Sequence, residues 1–248
     1  MDRLCKVFLR ANKMPSDLQA GYMGDLPEKV LQFGEGNFLG GYIDWMFHRM
    51  NEKGLFHGKA VVIQPRGKNN IKILNEQDAL YTLLLRGLEK GEVIQSREVI
   101  SSLSRGIDIL SDFDDYLMLA EKPELRIIVS NTTEAGISYN PDDKFEDAPP
   151  VSFPAKLTRL LYQRYKCFKG DSSKGFIILP CELIERNGDA LKNIVIRYAS
   201  EWELENDFTC WVEKGNCFLN TLVDRKGGYP RLKRSLSDVF KKAVPVML

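Results

Sequence analysis

Short apolar runs alternate along this chain with longer stretches whose apolar positions recur at helical spacing. "KVLQF" (29–33), "KAVVIQP" (59–65), "LRIIVS" (125–130) and "GFIILP" (175–180) are apolar at nearly every position, the mark of short strands buried on both faces. Between them, "NFLGGYIDWMFHRMNEKG" (37–54) predicts a helix closed by Gly54. "SDFDDYLMLAEK" (111–122) predicts a helix capped by Ser111 or Asp112. "FPAKLTRLLYQRYKCF" (153–168) and "NGDALKNIVIRYASEW" (187–202) predict two more, the last beginning at Asn187 or Gly188. This order predicts an α/β chain of βαβ units, with a mostly parallel sheet and helices on both faces. "YTLLLRGLEKGEVIQSREV" (81–99) breaks the pattern and reads as an inserted antiparallel hairpin turning at Glu89 to Gly91. "NPDDKFEDAPPVSFP" (140–154) reads as a surface loop whose prolines and acids oppose burial. "FTCWVEKGNCFLNTLVDR" (208–225) is expected to supply a short helix and a closing strand.

Composition changes this picture little. The 248 residues suit one large domain or two small ones, with 44% hydrophobic and 28% charged positions as in soluble globular proteins. A net charge of +1 gives no general attraction to nucleic acid or anionic membrane, and neither is expected as a partner. Charge is concentrated at one end: beyond Asp224 lie seven basic residues and the single acid Asp238. That stretch (225–248) is read as a basic tail, in the first place a solvated helix. Five cysteines without a C-x-x-C pair argue against a disulfide framework or a zinc site, so no metal is expected. No signal-peptide pattern or membrane-length apolar run occurs, and a cytoplasmic location is the expectation.

The candidate chemistry lies at two strand ends. Gly34 and Gly36 follow the first apolar strand and open a helix. In a dinucleotide fold the first glycine permits the tight turn, and the second bares the backbone for a pyrophosphate at the helix N-terminus. Position 39 is Leu, so the third glycine of G-x-G-x-x-G is missing, although Gly40 and Gly41 follow it. The plain alternative is a glycine turn with no ligand. The second strand end, "SNTTEAG" (130–136), places Ser130, Asn131, Thr132 and Thr133 where a ribose or nicotinamide amide would lie, or where they merely cap the strand.

"LQFGEGNF", "LNEQDALYTLLLRG", "SNTTEAG", "PCELIERNGD" and "NTLVDR…GYP" together resemble the N-terminal half of the tagaturonate reductases (altronate oxidoreductases), the uronate branch of the mannitol dehydrogenase family of long-chain polyol dehydrogenases. The resemblance runs over about residues 27 to 231. It implies a Rossmann-like dinucleotide-binding domain at 27–224 behind an N-terminal extension at 1–26. It also implies metal-free, NAD-dependent reduction of a keto-uronate to an aldonate, with fructuronate or a mannitol–fructose pair as alternative substrates. The nucleotide turn then falls on Leu31, Gln32, Phe33, Gly34, Glu35, Gly36, Asn37, Phe38, Leu39, Gly40, Gly41 and Tyr42, and the nicotinamide loop on Ser130, Asn131, Thr132, Thr133 and Glu134. Asp224 matches an aspartate that supports the active site. Glu182 and Asn187 are substrate-side candidates, with capping of the following helix as the other role for Asn187.

Three departures qualify the resemblance. Gly40 stands where the family carries Arg, and Leu183 where the mannitol branch carries an oxyanion-stabilising Asn. The family's general acid/base, a Lys in Lys-x4-Asn-x2-His, has no counterpart, since the only histidines are His48 and His57. The chain is therefore expected to hold NAD(H) but to act on a sugar acid only when a catalytic domain is supplied. A non-catalytic nucleotide-binding remnant or partner subunit is the alternative. For the cofactor, Arg66 and Lys68 after the second strand favour NADP, whereas the resemblance favours NAD. NAD is adopted, with NADP not excluded.

Overall fold

The structure is a computed structural model, and it describes residues 4–222 apart from positions 13, 14, 17, 22, 65–69, 90, 91 and 133–135. The strands are β1 (Leu18–Ala20), β2 (Glu28–Phe33), β3 (Lys59–Gln64), β4 (Tyr81–Glu89), β5 (Glu92–Ile100), β6 (Leu103–Asp108), β7 (Ile127–Ser130), β8 (Ile177–Pro180) and β9 (Cys217–Phe218). The α-helices are α1 (Lys6–Ala11), α2 (Asp44–Glu52), α3 (Asn70–Glu76), α4 (Phe113–Met118), α5 (Phe153–Cys167), α6 (Asn187–Glu201) and α7 (Asn206–Gly215).

Six strands form one all-parallel sheet in the order β6-β3-β2-β7-β8-β9, a Rossmann-like α/β arrangement. The chain builds outward from β2 through β3 to β6, then returns to β7 and continues outward on the other side. The reversal therefore lies between β2 and β7, where an open parallel sheet splays its connections apart and leaves a crevice. Alternation along the strands feeds two cores. Leu31, Phe33, Val61, Ile63 and Ile128 face α4 to α7. Val30, Ala60, Val62 and Val129 face the segment after β2 and α3. Every residue of β3 is buried, which explains its unbroken apolar text.

The hairpin forms as the sequence predicts, β4 against β5 in antiparallel register, with Tyr81 opposite Ile100 and Glu89 opposite Glu92. It belongs to a second sheet, β1-β5-β4, in which β1 pairs in parallel with β5. Part of the N-terminal segment expected as an extension is thus built into this smaller sheet. The loop at 140–152 is held more firmly than its composition implies. Asp143 is buried and accepts hydrogen bonds from the Ser152 amide (3.1 Å to Oδ2) and the Tyr198 hydroxyl (3.0 Å). An acid can be buried there because local donors replace its water.

Arg164 of α5 is fully buried. Its guanidinium donates to the carbonyls of Ala120, Lys122, Leu125 and Lys174 at 2.6–3.0 Å. Burial pushes its pKa down to about 10, still well above neutrality. It gathers the carbonyls that end the α4 segment and precede β7, and so fixes the approach to that strand.

Candidate functional site

At the carboxyl edge of the large sheet, three backbone hydrogen bonds continue the ladder past the last strand residues. The Gly34 amide donates to the Ile63 carbonyl (3.0 Å), the Asn131 amide to the Phe33 carbonyl (3.1 Å), and the Cys181 amide to the Ser130 carbonyl (2.7 Å). This puts the glycine turn, the polar loop after β7 and the end of β8 side by side at the topological reversal. Gly34 has φ +112°, and a Cβ there would lie 2.7 Å from the Asn131 carbonyl oxygen. Glycine is needed at 34 both for its backbone angle and for this close approach. Gly36 is different: a Cβ there meets nothing within 4 Å. The turn thus leaves bare backbone facing open space at the crevice, immediately before a helix.

That helix begins at Asn37 and Phe38, widens into a π-helical turn over Leu39–Ile43, and continues as α2. The expected helix is present, but its start has an unusual form. The β4 residue Tyr81 packs against this turn. The Tyr81 hydroxyl donates to the Gly40 carbonyl (2.7 Å) and to Asp44 Oδ2 (3.2 Å). Gln32 donates its amide to the Gly34 carbonyl (3.2 Å) and, at 3.5 Å, to Asp44 Oδ2. Ser102 donates to the Asp44 backbone carbonyl (2.7 Å). Beneath the glycine turn there is therefore a Gln32–Asp44–Tyr81 cluster, in which Gln32 and Asp44 are buried. Burial pushes the Asp44 carboxyl up to about 7, against the lowering effect of the Gln32 and Tyr81 hydrogen bonds. Gln32 Oε1 and Asp44 Oδ1 are both buried without a hydrogen-bond partner among the described residues. Burial thus favours the neutral, protonated form of this carboxyl.

The polar loop is braced by Glu182, whose side chain is buried. Ser130 Oγ donates to its Oε2 (3.0 Å), and the Thr132 amide and hydroxyl both donate to its Oε1 (3.0 Å each). The Asn131 side-chain amide donates to the Cys181 carbonyl (2.7 Å). Glu182 thus touches the loop expected on the nicotinamide side and holds it against β8. Asn187 is also buried. Its amide group donates to the Pro180 (2.9 Å) and Glu182 (3.0 Å) carbonyls, while its Oδ1 accepts from the Gly188 (2.8 Å) and Thr221 (2.9 Å) amides. It joins the start of α6 to the end of β8 and to the segment after β9. Leu183, beside Glu182, is 65% exposed. Thr133, Glu134, Arg66, Lys68, Asp224 and the basic tail lie outside the described residues.

The comparisons agree with this architecture. A family model for the mannitol dehydrogenase Rossmann domain matches residues 28–241. The chain belongs to the mannitol dehydrogenase family. Among curated relatives, it is 53% identical over 199 residues to an altronate oxidoreductase of Bacillus subtilis (strain 168), covering 80% of this chain and 42% of that protein. It is 51% identical over 207 residues to one from Klebsiella pneumoniae, covering 83% of this chain and 43% of the other. The chain thus spans a little over two fifths of the length of these relatives. Among solved structures, Pseudomonas fluorescens mannitol 2-dehydrogenase, in a ternary complex with NAD and D-mannitol, superposes with a TM-score of 0.76. That match is 17% identical and covers 91% of this chain and 47% of that one. A substrate-free D-sorbitol dehydrogenase gives 0.75 at 19% identity, covering 97% and 50%. At such identities these two matches establish the shared fold. Among the described residues, no helix is long and apolar enough to cross a membrane.

The sequence reading did not single out Asp44 or Tyr81 as parts of this candidate site. Asp44 looks like an ordinary first-turn acid of a helix. Tyr81 lies 37 residues further along, at the start of a strand in another sheet.

Proposed function

We propose that this chain is the NAD-binding half of an oxidoreductase that interconverts a keto-uronate such as tagaturonate and an aldonate such as altronate. The observation that carries the reading is the open space before Gly36, at the reversal of a parallel sheet and at the mouth of a helix. The roughly 50% identity to altronate oxidoreductases over this half supports the substrate class. Gly34 makes the turn, Gly36 bares the backbone, and the amides at the helix start donate to the pyrophosphate. The loop at 130–132, held by Glu182, sets the nicotinamide end, and Asp224 is assigned to the substrate edge. The bound dinucleotide supplies or accepts the hydride. Hydride transfer to a ketone also needs a proton donor for the developing alkoxide, worth about 10²–10⁴-fold. The Lys motif expected for that role is not among these 248 residues. In this reading the chain binds NAD(H) by itself, and turnover requires that group from further polypeptide.

Gly36→Val tests the assignment with little expected effect on the fold, because a Cβ there meets nothing within 4 Å among the described residues. NADH affinity, measured by fluorescence titration, is expected to fall by about 100-fold or more, close to 3 kcal/mol. Thermal stability should stay near that of the parent chain. A folded Gly36→Val protein that binds NADH as well as the parent would remove the pyrophosphate from this turn.

A further inference from the structure

The acid that usually receives the adenosine ribose in a dinucleotide fold stands at the end of the second strand. Here that strand, β3, ends in Gln64, and "KAVVIQPRGK" contains no acid. An acid reaches the same place from elsewhere. Glu35, between the two glycines of the turn, extends across to β3. Its Oε1 accepts from the Gln64 amide group (3.0 Å) and the Asn70 amide group (3.2 Å) at the start of α3. Its Oε2 is buried and has no partner among the described residues. An orphaned carboxylate oxygen is costly, and a bound hydroxyl group is a natural donor to satisfy it. Burial raises the pKa of this carboxyl, the Asn70 and Gln64 hydrogen bonds oppose the rise, and the charge of Asp108 at the end of β6 adds to it.

We propose that Glu35 is the specificity-determining residue for the adenosine ribose: it accepts a hydrogen bond from the 2′-hydroxyl of NAD(H) and disfavours the 2′-phosphate of NADP(H). The assignment rests on the dinucleotide reading above. A 2′-phosphate placed here meets the carboxylates of Glu35 and Asp108, a like-charge arrangement. The positive side chains of Arg66 and Lys68, which on sequence grounds favoured NADP, are not the deciding groups in this assignment.

The experiment titrates the full chain, by fluorescence, with NADH, NADPH and 2′-deoxy-NADH, and repeats the titrations on Glu35→Gln. The parent chain is expected to bind NADH at least about tenfold more tightly than either analogue, the range for a hydrogen bond to a charged group. In Glu35→Gln, which loses the charge but keeps an acceptor, the NADH-to-NADPH ratio should shrink about tenfold. Binding of NADH with the same ratios in both proteins overturns the role of Glu35 and leaves the dinucleotide site standing. Equal binding of NADH and 2′-deoxy-NADH by the parent chain overturns it without recourse to any variant. If the parent chain binds none of the three, the dinucleotide reading itself falls.

Discussion

Replacing Gly34 by alanine is expected to destabilise the chain by about 4 kcal/mol and to abolish NADH binding together with the local fold. Two costs act at one atom. The residue sits at φ +112°, which an L-residue occupies at a cost of roughly 1–3 kcal/mol. The new methyl would also lie 2.7 Å from the Asn131 carbonyl oxygen. That oxygen is backbone, and the Asn131 amide is itself bonded to Phe33, so neither side can retreat cheaply. Overpacking of this sort costs about 1–3 kcal/mol more. Urea denaturation of Gly34→Ala beside Gly36→Ala gives the contrast, because the second substitution meets no atom within 4 Å. Similar unfolding midpoints for the two variants would contradict the close approach of β2 and β7 at the crevice.

The second large effect belongs to Asp44 and depends on pH. Its carboxyl titrates near 3.8 when unfolded and is pushed up to about 7 by burial in the fold. Between those values the folded chain keeps a proton that the unfolded chain has released. Stability is therefore fully present below about pH 4, declines as pH rises toward 7, and levels off above it. A rise of about three pK units corresponds to roughly 4 kcal/mol. Asp44→Asn keeps the shape and leaves an acceptor for Tyr81 without titrating. Its stability relative to the parent chain should be near zero at pH 4 and grow to about 4 kcal/mol in its favour by pH 7.5. The comparison is made pair by pair across pH because other groups move as well. His48, whose pKa burial lowers from 6.5, contributes a slope of the opposite sign below that pH in both proteins. A difference between the two proteins that stays flat from pH 4 to 8 would show that Asp44 is ionised in the fold.

Much of the architecture follows from local pattern. The unbroken apolar text of β3 and the helical spacing of α5 and α6 reflect burial on two faces or on one stripe, which nearest-neighbour periodicity records directly. The hairpin was equally legible, because two β-rich runs around Lys90–Gly91 leave few other options. What pattern misjudged was polarity. Asp143 in a proline- and acid-rich loop, and Arg164 on an amphipathic helix, are both buried, each among donors or acceptors brought from distant elements. A charge reads as exposed until its partners are known.

The same division holds for the candidate site. Sequence alone determined the chemistry available at the strand ends: the glycines at 34 and 36, the polar run at 130–132, and the resemblance that joins them to a family. Only the tertiary structure decided what each group does. It turned Glu182 and Asn187 into braces, brought Tyr81 from another sheet beneath the glycine helix, and carried Glu35 across to the strand that lacks an acid. The physical reason is range. Turn geometry and hydrophobic periodicity are settled within a few residues, whereas hydrogen-bond satisfaction and desolvation depend on groups that meet only when the sheet has closed its order.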